Sequence, residues 1–330
     1  MRSIIFIIPY FGDLPNFFPL FLKSCSWNKD FNWLLITDCN VQYDYPKNFE
    51  VLNMSFAQLK ELIQSKFDFK IALNTPYKLC DYKPAYGYIF EEYIKDYRYW
   101  GHCDVDTIMG NLSNFLTNTL LEKYDKLFCL GHMTIYRNTL ENNRVFMSEY
   151  KSTSLYKEVF SINDICWFDE EWKDEYNINE IFLSRHKNVY LQDLSFNIYI
   201  PKIKFIRTIY VGKENKNDEH GYKNESFKHA LYLWDHGSLY RLLKKGNEII
   251  KEEYLYMHFQ SRKMRTSKLL NLQQGIIKII PNTFMPLEVD SVTKENFDKI
   301  KKISLFTYVD VKIITRLQRF WKKITKNVCR

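Results

Sequence analysis

The chain has seven cysteines but no C-x-x-C pair. Cys25, Cys39, Cys80, Cys103, Cys129, Cys166 and Cys329 are scattered and odd in number, so neither a zinc site nor a disulfide framework is indicated. Most sit in apolar contexts, as small core residues do, and a reducing cytoplasm suits them. Long apolar runs are also missing. None approaches about 18 residues, so no transmembrane helix is expected. The stretch from Met1 to Pro9 is too short for a signal peptide. A soluble or peripheral protein is expected. Without G-x-G-x-x-G a dinucleotide cofactor is disfavoured, and without G-x-x-x-x-G-K-[ST] so is a P-loop. No internal repeat, low-complexity segment or recognised nucleic-acid motif occurs, and nucleic acid is not an expected partner.

At 330 residues the chain is one large domain or two modest ones. Hydrophobic residues make up 46% and charged residues 26%, enough apolar material to bury a core. Aromatic residues reach 17%; such rings suit flat, polar-tipped surfaces that stack on bases or sugars, although an AT-rich coding bias is the simpler cause. The net charge of +8 is unevenly placed. From Asp298 to Arg330 there are ten Lys/Arg against two Asp, so this tail alone carries the whole net charge.

Residues 3–8 form a β-branched and aromatic run ended by Pro9, as in a buried parallel strand. A loop with Gly12 follows. Asn16 to Ser26 then predicts a helix starting near Pro19. Trp33 to Thr37 predicts a second strand, ended by Asp38. Strand, loop, helix, strand and acid make half of a nucleotide-binding α/β unit, whose ligands sit beyond the carboxyl ends of the strands. Phe49 to Met54 predicts a third strand, and Ser55 with Gln58 forms a capping box for a helix reaching about Lys66. A Pro-flanked aromatic loop from Pro76 runs into a predicted helix over 85–95. Arg98 to Cys103 reads as a strand, as do Leu127 to Gly131 and Met133 to Tyr136. Residues 152–200 mix helix and loop, and 212–228 read as a polar, mobile loop.

Asp104 and Asp106 follow a buried strand, and on an extended backbone residues two apart point to one side. Together they suit one hard cation, Mg²⁺ or Mn²⁺, which takes carboxylate and substrate phosphate oxygens. A polar turn after a strand is the plainer reading. Asp38 either meets a nucleoside or makes a cap or turn. Lys83 suits a diphosphate and Asp81 ribose hydroxyls or a base edge, unless the two form a surface salt bridge. Asp169 and Glu170 lie between Phe168 and Trp172, where burial raises a carboxylate pKa and suits a general base. The run continues with Asp174 and Glu175, as a solvated acidic turn also would. His258 sits in an alternating stretch that turns basic; it suits a Mn²⁺ shell or, more plainly, the core. Arg262, Lys263 and Arg265 suit a diphosphate leaving group.

Several segments together resemble one family. They are Pro9-Tyr10-Phe11-Gly12, Phe21-Leu22-Lys23-Ser24-Cys25, Thr37-Asp38, the stretch from Pro76 to Gly87, Trp100-Gly101-His102-Cys103-Asp104-Val105-Asp106, Gly131-His132 and His258-Phe259-Gln260. The resemblance is to bacterial glycosyltransferases encoded among genes for capsule, O-antigen and other surface polysaccharides. It spans about residues 3–265, and the central loop and the D-x-D segment are its specific parts. It implies the GT-A class: a Rossmann-like mixed sheet flanked by helices, a D-x-D holding Mn²⁺ or Mg²⁺, and a nucleotide-diphosphate sugar donor. By this resemblance Asp106 ligates the metal, Asp104 contacts metal or donor ribose, and His258 is the C-terminal metal ligand. Tyr10, Asp38, Asp81 and Lys83 would line the donor nucleotide. Phe168-Asp169-Glu170 loosely matches the acidic acceptor-side motif, so the base is Asp169 or Glu170.

The expectation is an α/β protein with a GT-A-like catalytic domain over 1–265, its donor half about 1–130 and its acceptor half about 131–265. A basic amphipathic helical extension covers 266–330. The expected activity is metal-dependent sugar transfer from a nucleotide sugar to a glycan or lipid-linked saccharide. Asp104, Lys83, Arg262 and Lys263 would hold the donor. The alternatives are a phosphotransferase or nucleotidyltransferase using the paired aspartates, and a non-catalytic nucleotide- or membrane-binding module. In the extension, Ile300, Ile303, Leu305, Phe306, Val309, Ile313, Leu317, Phe320 and Trp321 fall broadly at helical spacing with Lys and Arg between them. Such a helix lies in the headgroup plane of an anionic membrane, packs on the catalytic domain, or pairs two subunits as a homodimer. The first option places the protein in the cytoplasm, on the inner face of the cell membrane.

Overall fold

The computed structural model describes residues 2–172, 176–199, 204–215, 220–226, 230–260, 262–273, 275–307 and positions 309 and 313. Strands β1 (Arg2–Pro9), β2 (Phe31–Thr37), β3 (Phe49–Asn53) and β4 (Tyr97–Cys103) lie parallel in the order β3-β2-β1-β4. Their apolar runs are nearly continuous because both faces of the sheet are covered. In β1, Ile4, Phe6 and Ile8 share one core with Phe18, Phe21 and Cys25 of α1 (Phe18–Ser26). Ile5 and Ile7 share the opposite core with Leu59 and Ile63 of α2 (Phe56–Ser65). The capping box is formed: Ser55 Oγ accepts from Gln58 N–H, and Gln58 Oε1 accepts from Ser55 N–H.

After β4 the chain bends through 104–106 into a short β5 (Thr107–Met109). β6 (Lys126–Leu130) and β7 (Met133–Arg137) then make a hairpin, with β7 antiparallel to β4, and β8 (Val189–Tyr190) closes the edge beside β6. The result is a mixed seven-stranded sheet. β9 (Phe196–Ile198), β10 (Arg207–Tyr210) and β11 (Tyr222–Glu225) begin a second sheet. β12 (Ala230–Asp235), β13 (Ser238–Lys245) and β14 (Glu248–Tyr254) form an antiparallel meander. β15 (Tyr256–His258) then slots between β9 and β5, completing the order β11-β10-β9-β15-β5. β16 (Arg265–Thr266), β17 (Ile276–Ile280) and β18 (Thr283–Pro286) extend the meander into a six-stranded sheet.

The class is α/β with a mixed sheet flanked by helices, as the sequence implied. Details differ. The helix expected over 85–95 is broken into Tyr86–Ile89 and Glu91–Ile94, because Phe90 leaves helical dihedrals (φ −106°, ψ 26°) and buries its ring. Within 212–228, β11 forms where a loop was expected, because Tyr222 is buried against Tyr210; 216–219 and 227–228 lie outside the described residues. Residue 265, the expected boundary, falls inside a hydrogen-bonded sheet: β12 pairs with β17 from Tyr232–Ile279 to Asp235–Ile276. Ile276–Ile280 and Thr283–Pro286 are therefore a strand hairpin rather than helix. A helical turn, Phe297–Ile300, buries Phe297 and Ile300 against Leu231, Leu233 and Leu242. Beyond 307 only 309 and 313 are described, so most of the expected amphipathic helix lies outside the described residues. Among the described residues no helix is long and apolar enough to cross a membrane.

The first sheet contains a buried cation. Lys126 on β6 is fully buried, donates to Asn179 Oδ1 and Phe128 O, and stands 5.5 Å from the Tyr136 ring centre. Burial lowers its pKa to about 8. An unfolded lysine titrates near about 10.4. Between those values the unfolded chain binds more protons, so stability rises with pH across that window. Urea unfolding between about pH 8 and 10 should show a gain of up to about 1.4 kcal/mol per pH unit. Lys126→Met, which keeps the stem and removes the charge, should flatten that rise; an unchanged slope would show that another group causes it.

Candidate functional site

Asp104 and Asp106 lie in the bend between β4 and β5, so strand alternation is not what brings them together. Backbone bonds shape the bend. Asp104 N–H donates to His132 O at 3.0 Å, Thr107 Oγ1 donates to Asp104 O at 2.7 Å, and Phe259 N–H donates to Asp106 O at 2.9 Å. The last bond carries β15 alongside, and with it His258. His258 Nε2 is 3.3 Å from Asp106 Oδ1 and 3.8 Å from Asp104 Oδ2. The three side chains each offer a ligand atom within 4.8 Å of the others.

The imidazole is oriented from behind. His258 Nδ1 is 3.0 Å from Asn197 Oδ1 on β9, and Gln260 Nε2 donates to the same oxygen at 2.7 Å. An amide oxygen only accepts, so in the neutral ring the proton is on Nδ1 and the Nε2 lone pair faces the carboxylates. Burial opposes the imidazolium, but Asp106 and Asp104 outweigh it and hold the His258 pKa above its usual value. Two carboxylates and an imidazole fixed by an outer hydrogen bond fit Mn²⁺ or Mg²⁺ chemically.

Lys83 ties this cluster to a second acidic pair. Its Nζ is 2.9 Å from Asp104 Oδ1 and 3.4 Å from Asp169 Oδ2, and it donates to Gly131 O at 2.7 Å. Burial works against the ammonium, yet Asp104 and Asp169 keep its pKa well above the ordinary lysine value. Glu170 Oε2 accepts from Gly131 N–H at 3.2 Å. A side chain at 131 would displace the acidic pair, since a Cβ would lie 2.5 Å from Asp169 Oδ2 and 3.1 Å from Glu170 Oε2. Burial pushes the Asp169 carboxyl well above the usual range; Lys83 offsets this only in part, and Glu170 adds to it. Burial raises Glu170 too, against the pull of the Gly131 N–H and Lys83. One ammonium cannot neutralise every neighbouring carboxylate, so this pair is suited to hold and pass a proton.

The other expected residues divide. Tyr10, after β1, donates its hydroxyl to Asp13 O at 2.9 Å; burial and then the charge of Asp106 raise its pKa, which puts it beside the ligand cluster. Asp38 is exposed past the end of β2. Arg262 is part-buried, stands 5.7 Å from the Phe205 ring and donates to Pro281 O at 3.2 Å, and burial lowers its pKa to about 10. Lys263 is exposed. As candidate site residues, Gly131 and His132 entered the sequence reading only through the resemblance, and Asn197 and Tyr256 not at all. His132 Nδ1 is 2.5 Å from the Tyr256 hydroxyl, and its ring centre is 4.4 Å from that of His258.

Asp81 was expected on the donor, but it is fully buried. Its Oδ2 accepts from Lys78 Nζ at 2.8 Å and from Cys166 N–H at 2.9 Å, and its Oδ1 accepts from Phe168 N–H at 3.0 Å. Both oxygens hold the chain segment that delivers Asp169. Asp81 is therefore a positioning residue in this structure. Asp81→Asn should leave buried Lys78 without its counter-charge and cost roughly 3–5 kcal/mol of stability. Urea unfolding measures that loss; full stability combined with weakened nucleotide binding would return Asp81 to the donor side.

Two solved structures show a distant likeness. One, galactosyltransferase LgtC in complex with donor and acceptor sugar analogues, is 12% identical, with 59% of this chain and 75% of that chain covered and a TM-score of 0.33. The other, an active-site mutant of LgtC, is 11% identical, with 59% and 74% covered and a TM-score of 0.33. No curated protein matches the chain. A family profile matches residues 6–288, which takes in both acidic clusters, Lys83, Asn197 and His258. This chain belongs to the family of unknown function DUF6625.

Proposed function

We propose that the chain is a metal-dependent glycosyltransferase of the GT-A class, using a nucleotide-diphosphate sugar as donor. The observation that supports this most is the junction at Lys83, where a ligand-like set (Asp104, Asp106, His258) meets a carboxylate pair, Asp169 buried and Glu170 half-buried. Asp104, Asp106 and His258 would hold Mn²⁺ or Mg²⁺, which when bound supplies positive charge for the departing diphosphate. Lys83 adds a fixed ammonium for the same developing charge. Tyr10 and Asp38 follow the carboxyl ends of β1 and β2, where nucleotides bind in open α/β sheets. Arg262 and Lys263 assist at the diphosphate. On the other side of Lys83, Asp169 or Glu170 accepts the proton of the incoming acceptor hydroxyl, and its raised pKa makes it an effective base near neutral pH. The acceptor in this reading is a glycan or lipid-linked saccharide of bacterial surface polysaccharide synthesis.

The test is nucleoside diphosphate release from a panel of nucleotide sugars, with Mn²⁺ or with EDTA. Release should need the metal, and Asp106→Asn should lower turnover by about 100-fold or more. Asn197→Ala keeps every ligand but frees the His258 ring; it should weaken Mn²⁺ affinity about 10- to 100-fold. The Mn²⁺-induced rise in melting temperature reports that loss. Release of phosphate or pyrophosphate in place of nucleoside diphosphate would overturn the reading in favour of phosphoryl or nucleotidyl transfer.

The same proposal sets the protein on the inner face of the cell membrane. Phe297 and Ile300 anchor the start of the tail in the six-stranded sheet, after which Leu305 and Phe306 are 81% and 84% exposed. Exposed apolar side chains beside a strongly basic segment suit anionic lipid, at about 1 kcal/mol per basic residue near the surface. The full chain should sediment with anionic liposomes at low salt, and a chain ending after Lys302 should not. Equal behaviour of the two would remove the membrane from the proposal, and dimerisation lost on shortening would assign the tail to subunit pairing.

A further inference from the structure

We infer that Trp172 and His220 form a stacking platform for one pyranose ring of the acceptor, with Tyr77 a second exposed ring near the same carboxylates; that the saccharide is an acceptor rests on the glycosyltransferase reading. Asp169 points to Lys83, Glu170 to Gly131, Glu171 pairs with Lys213 at 2.9 Å, and Trp172 is 39% exposed. The backbone under Trp172 is held from two sides. Glu171 N–H donates to Cys129 O at 2.9 Å, and the Tyr222 hydroxyl donates to Glu171 O at 2.5 Å. The indole stacks on His220 with centroids 5.4 Å apart and planes at 26°, and meets the Tyr222 ring edge-on at 5.7 Å. It is thus a fixed, solvent-facing ring.

Tyr77 is 74% exposed and sits one turn ahead of Cys80, whose Sγ lies within 4.8 Å of an Asp169 carboxylate oxygen. Exposed rings therefore flank the carboxylate pair from two separate segments. The electron-rich face of an indole attracts the weakly positive C–H face of a pyranose. Trp172 follows Glu170 by two residues, about 7 Å of chain at most. A sugar lying on the indole therefore keeps a hydroxyl within reach of the carboxylates. A nucleotide stacked here would set its phosphates against the acidic pair Asp169 and Glu170, whereas a neutral saccharide offers hydroxyls that these carboxyl groups accept from.

The test uses the full chain labelled with 5-fluorotryptophan. The Trp172 fluorine resonance is identified by its loss in Trp172→Phe. Methyl pyranosides of glucose, galactose, mannose and N-acetylglucosamine are titrated as probes. At least one should shift that resonance, and Trp172→Ala should raise the acceptor KM about tenfold while the donor KM holds. Trp172→Phe should recover most of the acceptor affinity, which a merely structural role would not explain. A Trp172 resonance unmoved by all four sugars, or an acceptor KM unchanged in Trp172→Ala, overturns the platform. Absence of any nucleotide-sugar turnover overturns the glycosyltransferase reading separately, and the fluorine titration then decides by itself whether a saccharide site exists.

Discussion

Lys83 stands between oxygen atoms from three distant stretches of chain: Asp104 after β4, Gly131 in the β6–β7 turn and Asp169 in the segment beyond. Without its charge, four carboxylates would crowd one partly desolvated pocket, and Coulomb repulsion there is far stronger than in water. The lysine is itself largely removed from water, so its own desolvation opposes the arrangement. What sustains it is the number of acceptors, two carboxylates and a carbonyl, around a compact ammonium with three donors. Gly131 belongs to the same interaction. Its carbonyl accepts from Lys83 while its N–H and its missing side chain make room for Glu170 and Asp169.

Behind this junction the scaffold fixes each carrier. Asp81 and Lys78 form a buried pair that holds the backbone at 166–168 and so sets the approach of Asp169. Trp100 on β4 stacks on Tyr136 of β7 at 4.3 Å, and Gly87 lies so close to the Trp100 indole that a Cβ would come within 2.3 Å of it. The strand that delivers Asp104 is thereby locked to its neighbour. Both acidic clusters are therefore tied to the frame around the central sheet.

The first parallel strands were legible because burial on both faces makes an unbroken apolar run, as in Ile4 to Ile8 of β1 and Trp33 to Ile36 of β2. The capping box at Ser55 was legible because it needs only local chemistry. Asp104, Asp106 and His258 were legible as residue types, but their geometry was not: they converge through a bend held by His132 O and Phe259 N–H. Asp81 misled because the sequence does not say whether an aspartate beside lysines is wet or buried. Asn197 carries no motif, and its importance arises only where β9 meets β15. The boundary near 265 was invisible as a paired sheet because β16 to β18 are short and are joined to the rest of the sheet where β17 pairs with β12, about 40 residues back.

The place of β15, inserted between β9 and β5, has a consequence for the order of synthesis. The aspartates of the ligand set are made early in the chain, at 104 and 106, and the imidazole that completes it is made late, at 258. Closing that contact also needs β9, which supplies Asn197. Contacts this far apart in sequence form slowly and after local ones. A nascent or prematurely ended chain can therefore present the two aspartates and Lys83 without His258. The Asp104–Asp106–His258 cluster is completed only when the ribosome has made most of the protein, so under the metal-dependent reading proposed above a bound ion would mark a finished molecule.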